Sequence, residues 1–570
     1  MRLPLVAIPG LVCFVSLSPS LSRAASTSIM DNCVTFDWFE YTGRDAVFDH
    51  ALPDGSFRNP ILAGFYPDPS ICRVHDDFYL VNSTFAYFPG IPIFHSRDLV
   101  RWTQLGHVID RPTQLKYDGL GVSRGIFAPA ISHHGDTFYV VCTMVDAGGN
   151  FLVTAKNPAG PWSDPVWLDF DGIDPSLFFD DDGRAWLVNN GPPEGAPLYE
   201  GHRAIWLQEF EAKTNRLVGP RSVLVNGGVD LAKKPEWVEG PHLYHRNGWY
   251  YLCCAEGGTY ENHSQVIFRS RAVTGPFEPG AENPILTQRD VAGPAAGAVT
   301  TTGHADLVIG PDGNWWSVFL ACRPYGGKYY ATGRETFLLP VTWTADDWPL
   351  ILPHGKPVPS VSPAPAVRTP AHARPTEAGA IPLTGNFTWR DDFDRRDLAP
   401  VWMMLRAPRE SWWNLSRTPG RLTLVPRAET LGGSGNPSFL AHRLQHARFA
   451  ASTSLGMPEA LGVEAGIAAL QNETHYFFFA LRRVGTGAQI FVERCNGGKP
   501  EALAIAPLDS VAAVQLRISG DEGRWTFAYA SGDQGWVPLV TDADATILTT
   551  QAAGGFVGAV IGLHARLGLP

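Results

Sequence analysis

Residues 65–84 read FYPDPSICRVHDDFYLVNST. A short strand opens the segment, a polar step turns it, and an aromatic-rich strand returns. Four later segments repeat this layout: FAPAISHHGDTFYVVCT (127–143), IDPSLFFDDDGRAWLVNN (173–190), VEGPHLYHRNGWYYLCCAE (238–256) and TGHADLVIGPDGNWWSVFLA (302–321). HGD, DDG, RNG and PDG are hairpin turns, in which Gly or Asn supplies the positive φ. Further strand-like stretches follow the hairpins, among them IPIFHSRDLVRWTQLG (91–106) and AIWLQEFEAKTNRLVG (204–219). A spacing of roughly 45–65 residues accommodates a four-stranded blade with its loops. Five such units predict a five-bladed β-propeller. A helical solenoid would need a 3.6-residue apolar period, which these segments lack.

The pattern changes after the fifth unit. KPVPSVSPAPAVRTPAHARPTEAGA (356–380) is rich in Pro and Ala and reads as a linker, set at 356–386. Beyond it, WWNLSRTPGRLTLVP (412–426), EAGIAALQNETHYFFFALRR (464–483), AVQLRISG (513–520) and GRWTFAYAS (523–531) are strand-like without the repeat. They predict a β-sandwich over 387–570. The first 24 residues, one Arg followed by an apolar run and then small residues, read as a signal peptide. The propeller is then expected over 25–355. The aromatics of DNCVTFDWFEYTGRD (31–45) suggest that this segment packs on it.

Composition narrows the partners. The chain has 570 residues and a net charge of −11, which argues against nucleic acid and anionic membrane as main partners. No later segment has the apolar length of a membrane helix, and a signal peptide implies a secreted or periplasmic protein. Gly (58), Pro (47) and 11% aromatics fit many turns and short strands. Beyond Cys13 in the leader, seven cysteines remain, without metal-site spacing and mostly in apolar strands. They read as buried thiols, with one disulfide left open.

The innermost strands of a propeller line its axis, so equivalent repeat positions converge in space. Aligning the five openings puts Asp68, Ala128, Asp174, Glu239 and His304 at one position. Three carboxylates packed about an axis repel one another, so stability alone would not select them. Glycosidic cleavage uses such a cluster: one carboxylate deprotonates water, one carboxylic acid protonates the leaving oxygen, and a third raises the acid's pKa. Each acid taken singly also reads as a turn or loop residue. The run Asp180-Asp181-Asp182 reads as a solvated turn. His304 has three readings: it orients a carboxylate, ligates an axial cation, or fills the core. The chemistry requires no cofactor, and a structural calcium ion is left open.

The motifs NPILAGFYPDPSI, GIFAPAI, GIDPSLFFDDDG, EGPHLY, TGHADLV and RPYGG with GRETFLLPVTW occur in the order seen in glycoside hydrolase family 43. The chain resembles the family's β-xylosidase and α-L-arabinofuranosidase members that carry a C-terminal sandwich. That resemblance implies an all-β fold, a five-bladed β-propeller followed by a concanavalin-like β-sandwich. It further implies an inverting, exo-acting hydrolase of xylooligosaccharides or arabinoxylan fragments, with Asp68 as base, Glu239 as acid and Asp174 tuning and orienting the acid. Arg323 resembles an arginine that holds substrate hydroxyls. Phe88 and Phe127 resemble pocket-wall aromatics, although many relatives have Trp where Phe127 stands. Thr259 is placed at the second sugar, and Phe556 resembles a sandwich residue that closes one end of the pocket. α-L-arabinofuranosidase activity is the alternative within the class. A non-catalytic carbohydrate-binding propeller is the alternative outside it, and would be expected to lack one of the three acids.

Overall fold

The computed structural model describes residues 32–291, 298–366, 380–508, 513–532 and 535–568; the expected leader lies outside them. Five antiparallel sheets built on four-stranded ladders follow one another along residues 70–350. In the second, for example, Gly125–His134, Thr137–Val145, Gly149–Ala155 and Val166–Leu168 pair in chain order. The first strands of adjacent sheets contact one another, so they surround a common axis. This is a five-bladed propeller. Thr137–Val145 is buried at all but its two ends, because neighbouring blades cover both of its faces. Outermost strands such as Arg216–Asn226 have one free edge and are largely exposed. The hairpin turns take their left-handed residues as expected, for example Asn247 (φ 50) with Gly248 (φ 72).

Side chains link every pair of neighbouring blades near the axis. Ser70 Oγ accepts from the Ile131 N–H, Ser132 Oγ donates to the Leu177 carbonyl, and Ser176 Oγ donates to the Pro241 carbonyl. The ring closes through Asp306 of the fifth blade. Its carboxylate accepts from Tyr244 Oη (2.7 Å) on one side, and from Ser70 Oγ (2.8 Å) and the Ile71 N–H (2.9 Å) on the other. Buried polar groups are costly unless paired, so these contacts hold the blades in one arrangement.

Two eight-stranded sheets form the sandwich. The segment at 31–45 is placed differently from the sequence expectation. Val34–Gly43 is an interior strand of one sandwich sheet, paired with Phe387–Asp391, Leu422–Leu424 and Arg448–Gly456. Phe36, Phe39 and Tyr41 enter the sandwich core and not a propeller face, because this sheet has an open position between strands that come much later in the chain. The expected linker is likewise structured at its start: Val361–Pro363 pairs with Ser56–Arg58, and Val358 is buried in the fifth-blade core. Residues 367–379 of that linker lie outside the described residues.

Propeller and sandwich share a sheet and a core. Tyr87–Phe88, from a first-blade loop, extends the second sandwich sheet by pairing with Met403–Leu405. Arg406, 2% exposed, donates to Glu473 and to the Leu120, Gly433 and Gly435 carbonyls across this joint. Cys142, Cys253, Cys254, Cys322 and Cys495 are buried free thiols, and Cys72 is free and half-buried. No helix among the described residues is long and apolar enough to cross a membrane.

Candidate active site

Just before or within the first half of each blade's first strand stands a residue in the left-handed region: Asp68 (φ 52), Ala128 (φ 35), Asp174 (φ 54), Gly240 (φ 56) and His304 (φ 50). In blades two to five the ladder shifts register around this point. Such a bulge turns the entering chain across the axis and re-aims its side chains. Glu239 is therefore not equivalent to Asp68 and Asp174, which corrects the alignment made on acid type. It stands one residue earlier, in register with Phe127, Ile173 and Gly303. Gly240 holds the kink, where a Cβ would lie 3.0 Å from the His304 ring in a conformation L-residues rarely adopt. The Pro that follows Asp68, Ala128, Asp174 and Gly240 marks this register in the sequence.

The fold brings the three carboxylates to one pocket. Asp68 accepts from Ser83 Oγ (2.6 Å) and from Arg334 Nη1 (2.8 Å), and Ser83 Oγ in turn accepts from the Ala128 N–H (2.7 Å). Burial pushes the Asp68 pKa up, but Arg334, His304 and the Ser83 hydroxyl outweigh it and hold it below the usual carboxylate value. Asp174 accepts from the Gly240 N–H (3.1 Å), which grips the peptide that carries Glu239. Burial, then the charge of Asp68, pushes Asp174 up to about 7. Burial, then Asp174 and Asp68, pushes Glu239 well above its ordinary value. The surroundings thus favour the ionised form of Asp68 and the protonated form of Glu239, the pair that acid–base chemistry needs.

His304 lines the pocket with Nδ1 3.9 Å from Asp68 Oδ1, and burial lowers its pKa to about 4, so it is neutral. Beneath the pocket, Asp68, Asp174, His242 and His304 line a narrow cavity on the axis. The Asp180–Asp182 turn is split. Asp180 is 6% exposed and accepts from Tyr250 Oη, whereas Asp181 Oδ2 faces His245 Nδ1 at the surface.

The cavity has a volume of about 380 Å³, within the range of small-molecule sites. Phe127, Thr259, His304 and Phe556 line it. Phe556 comes from the sandwich, held by its N–H to Ser123 Oγ (2.9 Å) and stacked on Phe85 with ring centroids 6.2 Å apart. Two expectations are corrected. Arg323 lies outside the pocket, where Glu335 and Asp45 bind its guanidinium in a buried ion network. Phe88 is also outside the pocket, against Tyr117, because its backbone is a sandwich-sheet strand. Arg334 and Phe85 take the places expected of them. Arg334 was within reach of the sequence, in GRETFLLPVTW, but nothing in composition distinguishes it from Arg323. Arg203, Trp237 and Tyr260 complete the mouth, and no motif announced them. Arg203 is fixed by two hydrogen bonds to Asn190 Oδ1 and lies over the Trp237 ring.

Comparison with known proteins agrees with this fold. Residues 57–349 match the model for glycosyl hydrolases family 43, and residues 390–567 match that for the β-xylosidase C-terminal concanavalin A-like domain. The chain is 39% identical over 519 residues to a xylosidase/arabinosidase of Butyrivibrio fibrisolvens, covering 89% of this chain and 95% of that protein. It is 36% identical to a non-reducing end α-L-arabinofuranosidase of Bacteroides ovatus, covering 90% and 92%. A crystal structure of a GH43_12 protein retrieved from a capybara gut metagenome superposes with a TM-score of 0.88 at 39% identity, covering 94% of this chain and all of that one.

Proposed function

We infer, from the premise that the chain belongs to glycosyl hydrolase family 43, that it is a glycosidase releasing single pentose units from xylan-type oligosaccharides. The observation that carries this reading is the meeting of Asp68, Asp174 and Glu239 in one pocket, where their surroundings shift Asp68 and Glu239 in opposite pKa directions. Asp68, ionised, deprotonates a water; Glu239, protonated, gives its proton to the leaving oxygen; Asp174 keeps that proton in place by charge and orients Glu239 through the Gly240 N–H. A water between base and anomeric carbon inverts configuration. Phe556 walls one end of the cavity, which favours attack on a terminal sugar. Arg334 beside Asp68 and the aromatic walls suit the hydroxyls and C–H faces of a pentose.

Xylose and arabinose are both within this reading, since one of the relatives is named for both activities. Rates on aryl β-D-xylopyranoside and aryl α-L-arabinofuranoside rank the two. Proton NMR of the first-formed sugar tests inversion: the anomer of opposite configuration is expected, and the retained anomer would rule out the water-mediated step. No activity on either glycoside would return the chain to the binding-protein alternative. The leader-like first 24 residues support export to the periplasm or medium, which the N-terminal residue of protein purified from its host would test.

A further inference from the structure

A second cavity, of about 390 Å³, lies behind the loop at 257–262. Gly258, Thr259 and Tyr260 of that loop line the catalytic pocket, whereas Gly257 and Asn262 line the second cavity. Glu236 lines both, and its carboxylate lies against Gly258. The wall between them is therefore one short loop and one side chain. Glu236 is three residues before Glu239 in the chain, and both line the catalytic pocket.

Its lining is polar and of mixed sign. Asp230, Glu236 and Glu256 supply carboxylates, and Lys233, Lys234 and Arg289 supply cations. Some of these are engaged: Lys233 pairs with Asp230 (3.6 Å), Glu256 accepts from the Val229 N–H (3.1 Å), and Arg289 donates to the Asn262 carbonyl (3.1 Å). The Lys234 ammonium has no hydrogen bond or ion pair among the described residues. Interleaved acceptors and donors suit a ligand that is both, as a sugar hydroxyl is. An anionic ligand would meet three carboxylates, and an apolar one would leave every polar group here without its water.

We propose that this cavity lies at the end from which the leaving sugar chain departs, because it shares Glu236 and the 257–262 loop with the pocket that holds the acid Glu239, and that it is a distal leaving-group subsite, which binds the second neutral sugar beyond the bond that is cleaved. The proposal rests on the hydrolase reading above. It makes the preferred substrate an oligosaccharide of three or more units, although one pentose is released at a time.

The test is the ratio of kcat/KM for xylotriose to that for xylobiose, in the full chain and in its Lys234→Ser and Arg289→Ser variants. If arabinose is the sugar released, the matching arabino-oligosaccharides are used. A ratio of about three to ten is expected for the unsubstituted chain, the worth of one or two net hydrogen bonds. Each variant should bring it toward one. Because the ratio is internal to each protein, a partial loss of folded enzyme does not alter it. A ratio of one in the unsubstituted chain, or a higher ratio that both variants retain, overturns the proposal. Hydrolysis of aryl glycosides with a flat length profile would overturn this subsite alone. No hydrolysis of any glycoside would overturn the hydrolase reading, and this inference with it.

Discussion

Asp68 and Glu239 carry the same functional group, and their surroundings shift its pKa in opposite directions. Asp68 has a guanidinium 2.8 Å away and a hydroxyl donor at 2.6 Å; Glu239 has burial and two nearby carboxylates. Asp68→Asn and Glu239→Gln should each lower kcat on xylobiose by about two to four orders of magnitude. Glu239→Gln should lose much less on an aryl glycoside with a good leaving group, which needs little protonation. Comparable losses on both substrates would argue against Glu239 as the acid. The two limbs of the pH profile of kcat/KM should move independently. Negative Asp174 disfavours ionised Glu239, so Asp174→Asn lowers the pKa of the acid and shifts the basic limb to lower pH. The Asn carbonyl can still accept from the Gly240 N–H, which separates charge from positioning. Arg334→Met removes the cation that holds Asp68 down. Burial then prevails, and the acidic limb shifts to higher pH. A limb that stays in place in either variant would exclude that charge as its cause.

At the scale of the element, the active site is a consequence of how each blade's first strand begins. The left-handed residue and the register shift that accompanies it let one strand serve two purposes: pairing in its blade and presenting a side chain at the axis. The blades must then be held in ring order. Asp306 does this at two junctions at once, through Tyr244 on one side and Ser70 with Ile71 on the other. Asp306→Ala leaves several buried donors without an acceptor and should cost at least about 3 kcal/mol. Ser176→Ala removes one neutral hydrogen bond, to the Pro241 carbonyl, and should cost about 1 kcal/mol. Urea unfolding followed by tryptophan fluorescence ranks the two. Equal effects would show that the inter-blade contacts do not hold the ring.

The whole molecule is one structural unit, though its sequence divides into a repeating and a non-repeating part. Val34–Gly43 crosses from the chain's start into the interior of a sandwich sheet, Tyr87–Phe88 extends the other sheet, and Phe556 returns from the sandwich to the pocket. Asp45, next to that first strand, also binds Arg323 of the propeller and the Ala447 and Arg448 N–H groups of the sandwich. A chain beginning at Arg44 should therefore lose its sandwich as well as its N-terminus. Expected results are a melting temperature well below that of a chain beginning at Asn32, and loss of kcat/KM as the Phe556 wall goes. An unchanged melting temperature would mean that the strand is dispensable to the sheet.

Period and turn chemistry made the propeller legible, because each blade is local: its strands are consecutive, and its hairpins need Gly or Asn at the turn. The carboxylates were legible for the same reason, since each opens a repeat. Aligning by acid type misregisters Glu239 by one residue, because the proline marks the kink and backbone conformation is not written in side-chain charge. Arg334 and Arg323 are both arginines near one motif, and only the packing of Glu335 and Asp45 against Arg323 separates the structural one from the pocket one. Phe88, the strand at 34–43 and the mouth formed by Arg203, Trp237 and Tyr260 depend on partners distant in the chain. Local periodicity determines an element that satisfies its own hydrogen bonds. An element whose partners lie hundreds of residues away is placed only by the tertiary structure, because its sequence records that it must be buried but not against what.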